Sequence, residues 1–149
     1  MKYTEKISKK LNELLIKNYD AEKGYLNAAN SIYSPRLKLF FEKCATERSE
    51  FAKELRTEIL RFGEEPQASG SFKGIVHRNW MTLKSLFSSN DEEVILEEAI
   101  KGEKASLEEY NEILKDETLP SSTESLLIKQ KNALKEAINT ERVHEELVS

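Results

Sequence analysis

Apolar residues recur every three or four positions through most of the chain, with charged residues at the positions between them. This is the period of an amphipathic α-helix that buries one face. The pattern predicts four long helices, over residues 4–32, 35–62, 91–115 and 123–147. A shorter run of the same period predicts a connecting helix over 72–87.

Local signals mark the ends of these helices. Ser34 followed by Pro35 is a typical helix start, because serine caps the first turn and proline fits its first position. Gly63 is suited to end the second helix. The connection between the first two helices is so short that we expect them to run antiparallel.

The predicted connecting helix would be about 24 Å long, at about 1.5 Å per residue. That length would carry the chain back along the bundle, so that the third helix runs parallel to the second. We therefore expect one all-α domain over 1–149. Its predicted architecture is a ferritin-like four-helix bundle with a helical crossover between the second and third helices.

Polar residues interrupt the apolar faces, near the middle of the first three predicted helices and further along the fourth. They are Asn18 and Glu22 in the first helix, Glu47 and Arg48 in the second, Gly102 and Glu103 in the third, and Glu141 with His144 in the fourth. Charged groups on a buried face need partners, because burial removes their hydration. These residues are therefore the first candidates for a site.

Several short motifs accompany the interruptions. They are Asn18-Tyr19-Asp20, Gly24-Tyr25, Gly70-Ser71, Gly74, His77-Arg78, Trp80, Lys84, Gly102-Glu103 and Tyr110. With these motifs the chain resembles an uncharacterised bacterial family of four-helix-bundle domains of unknown function, placed in the ferritin-like superfamily. The resemblance extends over nearly the whole chain, and it implies a ferritin-like bundle.

The wider superfamily includes carboxylate-bridged di-iron proteins such as rubrerythrins and bacterioferritins. Such a site takes one Glu from each of two helices and a Glu-x-x-His pair from each of the other two. The candidate ligands for iron or manganese are Glu22, Glu47, Glu50 and Glu103. The Glu-x-x-His pair that begins at Glu141 is expected to miss this site, by about 10 Å at the rise of a helix.

Two interpretations of the polar residues stay open. In the first, they form a hydrogen-bonded structural layer, and the chain is a non-catalytic structural or interaction protein. That layer would contain Asn18, Tyr25, Arg48 and Tyr110 beside the glutamates. In the second, the glutamates bind a metal, and the chain is a carboxylate metal-binding protein or a rubrerythrin-like oxidoreductase. The incomplete ligand set favours the first interpretation, and with it a protein that is not an enzyme.

A further candidate site lies on the predicted connecting helix, at His77, Arg78 and Trp80. These side chains either pack over the bundle or form a surface site that holds an anion or a carboxylate of the layer. No phosphate-binding loop and no nucleophile motif is present in the sequence.

Composition narrows the expected partners. The net charge is −4, with Lys and Glu interleaved, so there is no basic field for nucleic acid. The charged N-terminus and the lack of a long apolar run predict no signal peptide, no membrane span and a cytoplasmic location. The single cysteine, Cys44, is expected to be a small core residue. A second copy of the chain or another protein is the expected partner.

Overall fold

Four helices make up most of the part of the chain that the structure, a computed structural model, describes, which is residues 2–68 and 91–148. They are α1 (Tyr3–Ser31), α2 (Pro35–Arg61), α3 (Glu92–Leu114) and α4 (Ser121–Val148). No strand occurs in these two ranges. The predicted connecting helix over 72–87, and with it His77, Arg78 and Trp80, lies outside the described residues.

The helix ends follow the capping signals of the sequence. Ser34 Oγ accepts a hydrogen bond from the Leu37 amide at 3.3 Å, and Pro35 occupies the first turn of α2. Asp91 caps α3 in the same way, through the Val94 amide at 3.2 Å. Just past the end of α2, Gly63 has a φ of 76°, a conformation that costs glycine little.

The predicted bounds of all four helices lie within two residues of those in the structure. The largest difference is at the start of α4, which begins at Ser121 and not at residue 123. The Pro120 carbonyl accepts the amide of Glu124 at 2.9 Å, so the first helical turn forms directly after this proline. A proline before the first turn does not interfere, because the helix needs no donor at that position.

The helices pack as two hairpins, α1 with α2 and α3 with α4. The hairpins meet through α1 against α3 and α2 against α4. Asn18 of α1 contacts Tyr110 of α3, whereas Tyr25, further along α1, contacts the earlier residue Glu103. This order makes α1 antiparallel to α3, and since α1 is also antiparallel to α2, helices α2 and α3 run parallel.

Two apolar clusters fill the bundle, one toward each end. The cluster at the α1–α2 turn contains many small residues, among them Ala21, Ala28 and Ala45, which let the helices approach closely. The cluster at the other end is built largely from leucine and isoleucine. Between and beside them lie buried polar side chains, which we call the polar layer. Its members are Asn18, Tyr25, Arg48, Glu103, Ser106, Tyr110, Gln130 and Glu141.

A buried polar layer as the candidate functional site

Arg48 is the centre of the polar layer, and its side chain is only 1% exposed. One terminal nitrogen, Nη1, donates to Asn18 Oδ1 at 2.8 Å. The other, Nη2, donates to Glu103 Oε1 and to Ser106 Oγ, both at 3.0 Å. Burial, the largest single cause, lowers the pKa of Arg48. The charge of Glu103, the effects of Tyr25 and Tyr110 and the hydrogen bond to Glu103 together outweigh burial and raise the net pKa above its usual range. Arg48 is therefore a buried cation, paired with a buried carboxylate.

One branch of hydrogen bonds leads from Asn18 across the bundle. Asn18 Nδ2 donates to Tyr110 Oη at 3.1 Å, and the Tyr110 hydroxyl donates to Gln130 Oε1 at 2.5 Å. Gln130 Nε2 in turn donates to the Phe51 carbonyl at 3.2 Å and to Glu54 Oε1 at 3.1 Å. The branch links all four helices, so it ties their relative heights together.

A second branch joins two carboxyl groups through Tyr25. The Tyr25 hydroxyl lies 2.6 Å from Glu141 Oε1 and is also hydrogen-bonded to Glu103 Oε1. A phenol has one proton, so it can donate to only one of these oxygens. Glu103 is the charge partner of Arg48, whereas Glu141 is fully buried and its pKa is raised well above the usual range, first by burial and then by the charge of Glu103. The raised pKa favours the protonated form of Glu141, and in that form its hydroxyl donates to Tyr25, which donates to Glu103.

Two oxygens of this branch have no hydrogen-bond partner among the described residues. They are Oε2 of Glu103 and Oε2 of Glu141, on side chains that are 1% and 0% exposed. Buried acceptors without donors are uncommon in proteins, because each one has lost its hydration without compensation. The neutral form of Glu141 reduces this cost, since a protonated carboxyl is much less hydrated than a carboxylate.

Glu47 lies at the edge of the layer and is half-buried. Burial, and after it the charge of Glu103, raises the pKa of Glu47 to about 7. Glu136 on α4 acts in the same direction, and Arg48 acts against it. Near neutral pH this carboxyl is therefore divided between its protonated and ionised forms.

The structure brings the four predicted members of the structural layer together in one hydrogen-bonded network. They are Asn18, Tyr25, Arg48 and Tyr110. The predicted metal ligands are placed differently: Glu103 is in the layer, Glu22 and Glu47 are half-buried, and Glu50 is exposed. Within residues 2–68 and 91–148, no three His, Cys, Asp or Glu side chains lie close enough to hold a metal ion.

Glu141 reaches the polar layer through Tyr25, although its pair with His144 was expected only to miss the predicted metal site. That expectation compared backbone heights, whereas long side chains connect different heights. The Tyr25–Glu103 pair lies seven residues along α1 from the Asn18–Tyr110 pair, about 10 Å at the helical rise. Arg48 spans this interval and Tyr25 reaches Glu141, so the layer is about two turns thick.

His144 stands apart from the layer, on the outside of the bundle. Its ring packs against that of Phe40, tilted by 43° with 4.6 Å between the centroids, and its Nδ1 accepts a hydrogen bond from Arg36 at 2.6 Å. Partial burial and the charge of Arg36 lower the pKa of His144. The Glu-x-x-His pair of α4 is thus divided between the interior and the surface.

Sequence reasoning missed Ser106 and Gln130, which complete the hydrogen bonds of Arg48 and Tyr110. A signal for them was present in the spacing. The buried face of α4 is Thr123, Leu127, Gln130, Leu134, Ile138 and Glu141. Each step is three or four residues, so a polar residue in this register is a buried one even where it breaks the apolar pattern.

A second buried carboxylate, Glu58, lies at the start of α4. It accepts hydrogen bonds from Thr123 Oγ1 at 2.6 Å and Ser122 Oγ at 2.9 Å. Arg61 completes the group at 3.0 Å. A negative charge at a helix N-terminus is favourable because it opposes the positive end of the helix dipole, so Glu58 helps to hold α4 against α2.

Comparison with known proteins gives one family match. A family model described as "Domain of unknown function (DUF2383)" matches residues 6–116. The match includes α1, α2 and α3, and therefore Arg48 and Glu103, but ends before Gln130 and Glu141. No curated protein matches the chain. None of the described helices is long and apolar enough to cross a membrane.

Proposed function

We propose that this chain, which belongs to the DUF2383 family, is a non-catalytic helical bundle that acts through contact with another protein chain. In this proposal the polar layer is a structural part of the core. The observation that supports it is the buried guanidinium of Arg48, which supplies the positive charge next to Glu103 at 3.0 Å. The charge of the Glu103 carboxylate is therefore balanced by a side chain of the protein itself.

A structural role for the layer agrees with the way its members are connected. Buried polar residues can set the register of packed helices, since any shift would leave them without hydrogen bonds. Here the branch from Asn18 through Tyr110 to Gln130 joins three helices, and Arg48 joins the fourth. A displacement of one helix by a single turn would break several of these bonds at once.

We include a ferritin-like fold in the proposal. It is supported by the parallel course of α2 and α3, since α2 ends at one end of the bundle and α3 begins at the other. Bundles with one long crossover connection place two successive helices in this way.

The surface proposed for contact is the end of the bundle at the α1–α2 turn. Four large apolar side chains are exposed there, which we call the end patch: Tyr33 (84%), Leu39 (63%), Val143 (55%) and Leu147 (67%). Their neighbours in sequence lie at this end of the bundle: Phe40 contacts His144, and Ile32, Phe40 and Val148 pack in the same apolar cluster. Exposed apolar side chains grouped in this way are typical of interaction surfaces.

The contact is tested by measuring the mass of the purified chain in solution with light scattering, over a range of concentrations. We expect a mass above that of one chain, and a Leu39→Lys/Val143→Lys variant should return to one chain. Leu60→Lys is the matched control, because Leu60 is equally exposed (60%) but lies at the other end of α2. A mass that falls equally in both variants would contradict the end patch.

The structural role of the layer is tested by elemental analysis of protein purified without chelators, followed by anaerobic titration with ferrous iron. We expect no stoichiometric metal and no change in melting temperature. Iron at one or two per chain, lost in Glu103→Gln, would overturn the proposal.

A carboxylate protein for iron or manganese, such as a rubrerythrin-like oxidoreductase, is the second candidate. It is favoured by the two unpartnered oxygens, Oε2 of Glu103 and of Glu141. The donor set does not fit a metal pair, because only two carboxyl groups meet here and one is already paired with Arg48. The predicted ligands Glu22, Glu47, Glu50 and Glu103 stay a prediction, which the same titration tests.

A further inference from the structure

A groove runs along the seam between α2 and α4. It consists of two adjoining cavities of about 270 and 620 Å³, which share Lys43, Glu47 and Ala133. Its apolar lining is Phe40, Cys44, Phe51, Ala133 and Ala137. Three of these side chains are small, so α2 and α4 leave a space between them. The larger cavity is in the size range of small-molecule sites.

The walls of this seam groove are mainly acidic. They carry Glu42, Glu47, Glu50, Glu54 and Glu136, against Lys43 and Lys129. Lys129 forms an ion pair with Glu54, which leaves Lys43 as the other cation of the lining. Glu47 lies where the two cavities join. Burial raises the pKa of Glu47 by more than the positive charge of Arg48 lowers it.

The negative field of the groove comes from its walls. Cys44 forms part of the floor, and behind it Glu103 is paired with Arg48, so the interior adds little net charge. A positive group in the groove would therefore be attracted by the carboxylates of the walls.

The lining also indicates which kind of cation fits. No three metal-ligand side chains converge among the described residues, so the groove has no donor set for a bare metal ion. Its floor is instead apolar, with Phe40 and two alanines. A cation that carries methylene groups would bury them on this floor and place its charges against the carboxylates.

We propose that the seam groove binds a linear aliphatic polyamine, with one ammonium group at Glu47 and the chain extended along α2 toward Glu50. The carboxylates at these positions are spaced along one helix, so a linear ligand can meet them in succession. The proposal does not depend on the proposed function, since the end patch lies outside the groove.

The test is calorimetric titration of the full chain with spermidine at physiological ionic strength. We expect saturable binding that Glu47→Gln weakens at least fivefold. The matched control is Glu13→Gln, which removes the same charge from an exposed residue of α1 that borders a different cavity. It should change the dissociation constant less than twofold.

A second variant, Ala137→Leu, fills the floor without changing the charge, and it should also weaken binding at least fivefold. Circular dichroism tests whether this variant is folded. If it is not folded, the comparison of Glu47→Gln with Glu13→Gln still tests the proposal. The proposal is overturned if spermidine does not bind saturably, if both glutamine variants weaken it equally, or if folded Ala137→Leu binds as the parent does. Competition by equimolar Mg²⁺ would also overturn it, since it would indicate general attraction to an acidic surface.

Discussion

Arg48 carries its positive charge in a position where water cannot reach it, since its side chain is 1% exposed. The cost of burying such a charge is several kcal/mol, and it is recovered only when good partners surround the ion. Asn18, Glu103 and Ser106 supply these partners at 2.8–3.0 Å. Removing one member of the pair is therefore expected to be worse than removing both.

A double-mutant cycle tests this expectation. Arg48→Met leaves the Glu103 carboxylate buried without its cation and should reduce the free energy of unfolding by about 3–5 kcal/mol. Adding Glu103→Gln should restore part of the loss, because the orphaned charge is then gone. Urea unfolding gives both values. Lys115→Met, in an exposed ion pair with Glu112, is the control and should cost less than about 1 kcal/mol. Strict additivity would contradict the pairing.

The two carboxyl groups on Tyr25 should respond differently to the same substitution. Glu141→Gln replaces a neutral acid with a neutral amide of similar shape, so we expect a change below about 1 kcal/mol in unfolding free energy. Glu103→Gln removes the charge opposite Arg48 and should cost about 1–3 kcal/mol. Chemical unfolding at pH 7 compares them. The reverse order would contradict a protonated Glu141.

At the scale of the helix, α4 shows how a weakly apolar element is positioned. Six residues of α4 are buried, and three of them are polar. Thr123 and Gln130 bind α4 to α2 by hydrogen bonds, and Glu141 binds it to α1. Apolar contact alone would allow α4 to slide, because hydrophobic burial has no direction. The polar contacts at three heights remove this freedom.

Thr123→Val tests the contact at the start of α4. The substitution keeps the shape but removes the donor to Glu58, which lies 2.6 Å away, and we expect a loss of about 1–3 kcal/mol in thermal or urea unfolding. Thr140→Val is the matched control, on the same helix but exposed, with its hydroxyl bonded only to the Glu136 carbonyl. It should change stability by less than about 0.5 kcal/mol. Equal effects would show that the hydrogen bond from Thr123 to Glu58 contributes nothing.

At the scale of the whole molecule, the raised pKa of Glu47 makes stability depend on pH. The folded protein binds the proton more tightly than the unfolded chain, whose pKa is near 4.5, so the stabilisation present below pH 4.5 is lost as pH rises toward 7. After allowance for solvent screening of this half-buried group, we expect a loss of about 1–2 kcal/mol. Glu141, whose pKa is also raised, acts in the same direction.

Urea unfolding of the parent and of Glu47→Gln at pH 5 and pH 8 measures this dependence. The variant has no proton to lose at this position, so its stability should fall less across the interval, by about 1 kcal/mol. Glu50→Gln is the control, since Glu50 is exposed on the same helix. If the stability of Glu47→Gln depended on pH as that of the parent does, Glu47 would not be the cause of the pH dependence.

The positions of the helices could be predicted from the sequence because each depends on local information. The period of apolar residues marks the buried faces, and Ser34, Pro35 and Gly63 act within one helical turn of themselves. The presence of Asn18, Tyr25, Arg48 and Tyr110 at buried positions follows from the same period. Such features need no knowledge of what lies opposite.

The partners of those residues were decided only by the tertiary structure. Glu141 and Glu103 meet through Tyr25 because the two hairpins dock at a particular height and because long side chains bridge about two turns of helix. A height count along single helices could not include that reach, so it excluded Glu141. The raised pKa of Glu141 likewise depends on burial and on a charge from another helix, which no local sequence contains. Thus the sequence by itself determined where the helices run and which of their faces are buried, and the docking of the hairpins decided which buried polar residues bond to one another.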